Sequence, residues 1–120
     1  MSWKPLPNVT RWLRLAEKWS KQTGVPVELI LATIHQESGG KPEATRPEPE
    51  YVKTYGSSAK FKGIVSKTGL TPQEIASSYG LMQLMVPTAW GYLSESHKGP
   101  GVIATLKDPD MGIRYGTAHL

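Results

Sequence analysis

Glu37 is the residue whose type and position could do chemistry. It closes the run VELILATIHQE, residues 27–37, and Ser38, Gly39 and Gly40 follow it. It stands three residues after Ile34, seven after Ile30 and ten after Val27. Those offsets put it on the helix face that the apolar residues share. A carboxylate there turns toward the core side rather than to solvent. Desolvation and the negative end of the helix dipole both disfavour its charged form. An acid that stays protonated near neutral pH is what general-acid catalysis needs. The same residues also fit a frayed helix end whose glutamate turns out to water.

Other chemistries find less support. His35 is two residues from Glu37, and residues two apart on a helix do not face each other. No H-E-x-x-H occurs. His97 falls in a polar loop and His119 near the end of the chain, so the histidines form no cluster. No G-x-S-x-G elbow and no G-x-x-x-x-G-K-[ST] loop is present, which leaves serine nucleophiles and phosphate cradling without support. No metal or organic cofactor is expected.

The elements that must position Glu37 follow from periodicity and punctuation. Val9, Trp12, Leu13, Ala16 and Trp19 recur at helical spacing, which predicts an amphipathic helix over 8–23 with Asn8 as N-cap and Gly24 as stop. Residues 26–38 read as a second helix with Pro26 in its first turn, apolar nearly all round and therefore buried. Gly39 and Gly40 supply the left-handed residue that ends it. KPEATRPEPE carries three prolines, which argues against regular helix there. The stretch 41–70 reads as a long loop, with a short helix or strand over YVKTYGSSAKFKG left open. Thr71-Pro72-Gln73-Glu74 is a capping box that opens a short helix to about Ser78. Gly80 breaks it, LMQLMV reads as a small strand or extended turn, and Pro87-Thr88 opens a helix through Leu93. SESHKGPG is loop, and Asp108-Pro109 caps a last helix over 109–120. The fold class is mainly α, with a small β element at most.

Length and composition bound the rest. The 120 residues, 38% hydrophobic with four Trp and five Tyr, fit one small globular domain. The chain has no cysteine, which removes disulfides and Cys-based zinc sites. No run of about 18 apolar residues exists, so no membrane span is expected. MSWKPLPNVTRW has no apolar segment of a secretory signal. The formal charge of +4 suits an anionic partner. No motif of interleaved basic and aromatic residues points to nucleic acid.

Three stretches in order carry a family resemblance: ESGG at 37–40, SSYGLMQLMVPTA at 77–89 and DPDMGIRYGTAHL at 108–120. Together they resemble the lytic transglycosylases of the soluble, goose-lysozyme-like kind (the SLT domain). The resemblance implies a single lysozyme-like domain over 1–120 that acts on peptidoglycan glycan strands at the cell envelope or periplasm, or after delivery by a phage. It implies that Glu37 is the catalytic acid and that Ser38, Tyr79, Gly80, Leu81, Met82, Gln83 and Tyr115 contact the substrate. The family's D-P-x-x-N-I-x-x-G segment falls on Asp108, Pro109, Ile113 and Gly116, with Gly112 in place of its Asn. Residues 45–75 are extra to the family's spacing, and RPEPEY at 46–51 looks like the R-x-E-P segment of an insertion-bearing branch. Glu48 in that segment is the candidate second carboxylate if the enzyme hydrolyses instead; it also fits a solvated loop charge. A non-catalytic glycan-binding module is the further alternative. The family's A-Y-N-A-G motif does not occur before Leu120, so the expectation is a domain lacking its C-terminal helices. Met111, Ile113, Tyr115 and Leu120 would then be offered to a partner segment or to a second copy.

Overall fold

Glycines and prolines set the helix ends of this protein, whose computed structural model describes residues 6–120; the first five residues of the N-terminal stretch read above lie outside the described ones. The helix expected from Asn8 is two helices, α1 (Pro7–Thr10) and α2 (Leu13–Thr23). Leu6, not Asn8, occupies the N-cap, and Pro7 takes the first helical position, where its missing N–H costs nothing. Gly24 ends α2 in the left-handed region at φ 82°. Helix α3 (Val27–Ser38) starts after Pro26 and stops at Gly39, φ 63°. Ile30, Leu31 and Ile34 are buried, but Leu29 is 47% exposed. The helix is thus one-sided, not buried all round as its composition predicts.

Most of the stretch 41–70 is folded rather than loop, and the part left open as helix or strand is helical. The stretch forms β1 (Thr45–Pro47), α4 (Pro49–Tyr55) and α5 (Ala59–Thr68). The prolines did not exclude helix, because Pro49 sits at the first position of α4, where proline is tolerated. Ser58 caps α5 by accepting from Phe61 N at 3.1 Å. The capping box at Thr71 forms, with reciprocal bonds of 3.1 and 3.0 Å to Glu74, and opens α6 (Pro72–Ile75). That helix is shorter than expected: Ser77 and Ser78 are strand, in β2 (Ser77–Tyr79). β2 is the centre of an antiparallel sheet, between β1 and β3 (Leu84–Met85). Helix α7 (Val86–Ala89) ends earlier than Leu93, and a 3-10 turn holds Glu95–His97. Helix α8 (Val102–Lys107) has no counterpart in the sequence expectation. Asp108 then caps α9 (Pro109–His119) by accepting from Met111 N at 3.0 Å.

The fold is mainly α with one small sheet, as its sequence predicts. Two buried clusters hold it together. One joins the sheet to α5, α6, α7 and α8 through Phe61, Ile64, Ile75, Tyr79, Leu84, Val86 and Leu106. The other joins α1, α2 and α3 through Val9, Ala16, Ile30, Leu31 and Ile34. Helix α9 belongs to both, with Tyr115 in the first and Ile113 in the second. The β2–β3 hairpin also bridges them, with Tyr79 and Leu84 of its strands in the first cluster and Leu81 and Met82 of its turn in the second. The α9 face expected to stand open is therefore filled by the chain's own elements: Ile113 and Tyr115 are 0% and 1% exposed. Met111 packs against the first cluster, and only Leu120 of the four is exposed. No helix among the described residues is long and apolar enough to cross a membrane.

Candidate functional site

A cleft of about 290 Å³ lies where the two clusters meet. Thr33 and Glu37 of α3 form one wall. Ser78, Leu84, Met85 and Thr88 form the other, Met82 and Gln83 the turn between, and Gly116, His119 and Leu120 the α9 end.

The end of α3 that carries Glu37 is fixed from several sides. Ser38 Oγ donates to Ile34 O at 3.1 Å and accepts from Gly40 N at 3.2 Å. Trp12 Nε1 donates to Gly40 O at 2.9 Å. Gly40 has φ 87°, and a Cβ there would run into the Asn8 carbonyl. Glu37 itself is exposed. The expectation that it turns into the core is overturned. The face that buries Ile30 and Ile34 reaches the end of its packing partners at the last turn of α3, and position 37 opens on the cleft.

The opposite side depends on backbone that few residues adopt. Gly80 has φ 84° and Gln83 φ 52°. The Leu106 carbonyl lies where a Gly80 Cβ would be, so glycine is required by both dihedral and space. Gln83 Nε2 donates to Ala44 O at 3.0 Å and to Gly80 O at 2.9 Å. Both partners are acceptors, so the amide nitrogen is the atom that faces them.

Of the residues implied as substrate contacts, Met82 and Gln83 line the cleft with Glu37. The others do not. Ser38 spends its hydroxyl on the helix end. Tyr79 is buried and donates to Glu74 O at 2.6 Å; burial pushes its phenol above the ordinary tyrosine range. Gly80 shapes the turn and Leu81 is core. Tyr115 is core as well, with its hydroxyl 2.6 Å from His97 Nδ1 and accepting from Ser94 N at 3.2 Å. Glu48 stands beside the cleft rather than in its lining. Its Oε1 accepts from Arg46 Nε at 3.1 Å and from Ser78 Oγ at 3.4 Å. His119, expected to stand apart, shares the cleft with Glu37. Thr33 could have been found, since it precedes Glu37 by one helical turn on the same face. Ser78, Thr88, Gly116 and His119 needed the tertiary fold. Among the described residues no group of three or more His, Cys, Asp or Glu could hold a metal ion.

The sequence model of the Transglycosylase SLT domain matches residues 14–120. The chain belongs to the transglycosylase SLT family. Its relatives include proteins named endo-type membrane-bound lytic murein transglycosylase A. The one from Enterobacter sp. (strain 638) is 31% identical over 118 residues, which cover 97% of this chain and 44% of that protein. Those from Citrobacter koseri and Klebsiella pneumoniae subsp. pneumoniae are 30% and 29% identical over the same share of each chain. The chain thus spans less than half the length of these relatives. No solved structure gives a significant match. The family resemblance carried by ESGG, SSYGLMQLMVPTA and DPDMGIRYGTAHL is borne out. Within the SLT fold of this chain, the first motif supplies the only carboxylate side chain among the described residues lining the cleft, and the second supplies its turn.

Proposed function

We propose that this SLT domain cuts the β-1,4 bond between N-acetylmuramic acid and N-acetylglucosamine in peptidoglycan, without hydrolysis. The observation that carries the reading is that Glu37 is the one carboxylate side chain among the described residues lining the cleft. A hydrolytic enzyme of the two-carboxylate kind needs a second acid flanking the bond to direct water, at roughly 6.5–9.5 Å for inversion. Glu48 is occupied by Arg46 and Ser78 outside the lining. One carboxyl group suffices if the attacking hydroxyl belongs to the substrate. Glu37 protonates the glycosidic oxygen, and the bond from that oxygen to C1 of the muramic residue breaks. The acetamido oxygen of the same sugar stabilises the positive charge that develops at C1. The Glu37 carboxylate then takes the proton of the O6 hydroxyl as O6 bonds to C1. The acid is regenerated, no water is consumed, and the product ends in a 1,6-anhydro ring.

The rest of the cleft suits this substrate. With Gln83 Nε2 committed to two backbone carbonyls, the acceptor Oε1 is what the side chain has left for a sugar acetamido N–H. Leu84, Met82 and Met85 offer apolar surface to a pyranose face. Glu37 is exposed, so a sugar strand bound over it, rather than the protein alone, excludes water from the acid. The substrate places the activity at the cell envelope.

The test is mass analysis of muropeptides released from purified peptidoglycan. Wild-type protein should give products lighter by one water than hydrolysis products. Glu37→Gln should melt at the same temperature, because the side chain is exposed, and release about a hundredfold less or lower still. Products with free reducing muramic acid would overturn the non-hydrolytic reading and promote Glu48 as the second acid.

A further inference from the structure

The segment R-P-E-P is not used by the mechanism above, yet its two charged side chains, Arg46 and Glu48, meet beside the cleft-wall residue Ser78. Arg46 of β1 stands directly opposite Ser78 of β2, and Ser78 opposite Met85 of β3. Residues directly opposed across strands share a face of the sheet. Ser78 and Met85 line the cleft, so Arg46 lies on the cleft face at the sheet's outer edge. Glu48 joins the row from the end of β1, with one oxygen, Oε1, accepting from both Arg46 Nε and Ser78 Oγ. Glu48 is itself anchored by its backbone N–H, which donates to Ala76 O at 2.8 Å.

This arrangement leaves a distinct group on offer. The Arg46 side chain is 73% exposed. Among the described residues its Nη nitrogens donate to nothing, while Nε is held at 3.1 Å by Glu48. An exposed ion pair of this kind adds little to stability, so the fold gives no reason for it. A guanidinium with one edge fixed is oriented for a planar, two-oxygen acceptor at its other edge. The sugar backbone of peptidoglycan is neutral. Its anionic groups are carboxylates on the lactyl-peptide substituent of alternate sugars, which project from the strand.

We propose that Arg46 is a specificity-determining residue: held by Glu48 at the edge of the cleft, it binds a carboxylate of the peptide substituent on the strand in the cleft. This rests on the function proposed above. Glu48 is then a positioning residue that acts through Arg46 and Ser78, rather than a second catalytic acid. The basic balance of the whole chain, +4, favours the same class of ligand.

The experiment compares kcat/KM on peptide-bearing glycan strands with that on the same strands stripped of peptides by an amidase. For Arg46→Ala the ratio of the two values should fall about tenfold, the lower end expected for a hydrogen-bonded charged contact, and the fall should appear in KM. Arg46→Lys should recover part of the ratio, since an ammonium keeps the charge but not the fork. A ratio unchanged from wild type overturns the proposal. So does equal loss on both substrates, which is what a merely structural role would give. Failure of the wild type to cut either strand would overturn the parent reading, and this proposal with it.

Discussion

Tyr79 shows how a single buried residue ties stability to pH. Its hydroxyl donates to Glu74 O at 2.6 Å, and its ring is in the core. Burial first, and the Glu74 charge after it, hold the phenol above its ordinary value of 10.0, against a lowering contact from Ser77. The unfolded chain therefore loses this proton at lower pH than the folded one. The contribution is fully present below about pH 10 and is lost as pH rises through the higher folded value. Tyr51 shifts in the same direction, through burial and the neighbouring Tyr55. Tyr79→Phe should cost about 1 kcal/mol at neutral pH, the net worth of one hydrogen bond. Urea melts from pH 7 to 11 should then show the wild type losing its advantage over Tyr79→Phe as pH climbs past 10. A constant gap would mean that the phenol does not titrate differently in the two states. Sequence could not foresee this residue as core: Tyr79 adjoins the G-L-M-Q stretch, and its spacing is equally compatible with a cleft wall. Glu37 was the reverse case. Its place on the apolar stripe was legible, but the stripe does not say where the stripe's packing partners end.

At the scale of elements, three glycines set how closely α8, α9 and the β2–β3 turn approach. The Leu106 carbonyl lies against both Gly80 and Gly112, since a Cβ at either would meet it. A Cβ on Gly116 would fall 2.6 Å from Met82 Cβ and 3.0 Å from its Cγ. Both residues line the cleft. Gly116→Ala should therefore push Met82 toward the cleft or α9 away from it. The expected cost is about 1–3 kcal/mol, the usual range for an extra methyl in a packed site. Thermal unfolding checks that figure, and an increase in KM checks the displaced wall. A melting point equal to wild type would show that the Met82 side chain re-packs freely. Helix ends marked by local chemistry could be read in advance: Gly24, Gly39, the Thr71–Glu74 box and Asp108. Helix α8 could not, because VIATLK is six residues between loop and cap, too short for a 3.6-residue period to declare itself. Ser77 and Ser78 read as helix from local sequence for a similar reason. Their strand pairing with Thr45–Pro47 and Leu84–Met85 is settled by partners distant in the chain.

For the whole molecule, the cleft exists because two packed clusters meet at it: among the described residues α9 belongs to both, and the β2–β3 hairpin spans them, its strands in the first and its turn in the second. Each cluster must hold its own wall in place. On the Ser78 side, that support comes largely from the stretch 45–75, which composition marks as an appendage rich in proline and charge. Phe61, Ile64 and Ile75 from this stretch are buried together with Tyr79 and Leu84. Tyr51 extends the group, its ring centroid 6.1 Å from that of Phe61. The segment is therefore part of the core rather than a loop laid over it, and one substitution can decide between the two descriptions. Phe61 is 2% exposed and lies on α5, away from the residues lining the cleft. Phe61→Ala should destabilise the protein by about 3–5 kcal/mol, the range for emptying a buried aromatic site. That is a large share of the roughly 5–15 kcal/mol typical of a domain. Because the sheet rests on the same cluster, activity should vanish on warming at the same temperature as the fold, well below the wild-type transition. Equilibrium unfolding in urea, followed in parallel by glycan cleavage, measures both. A loss under about 1 kcal/mol would place α5 outside the cooperative core and leave the Ser78 wall standing without it.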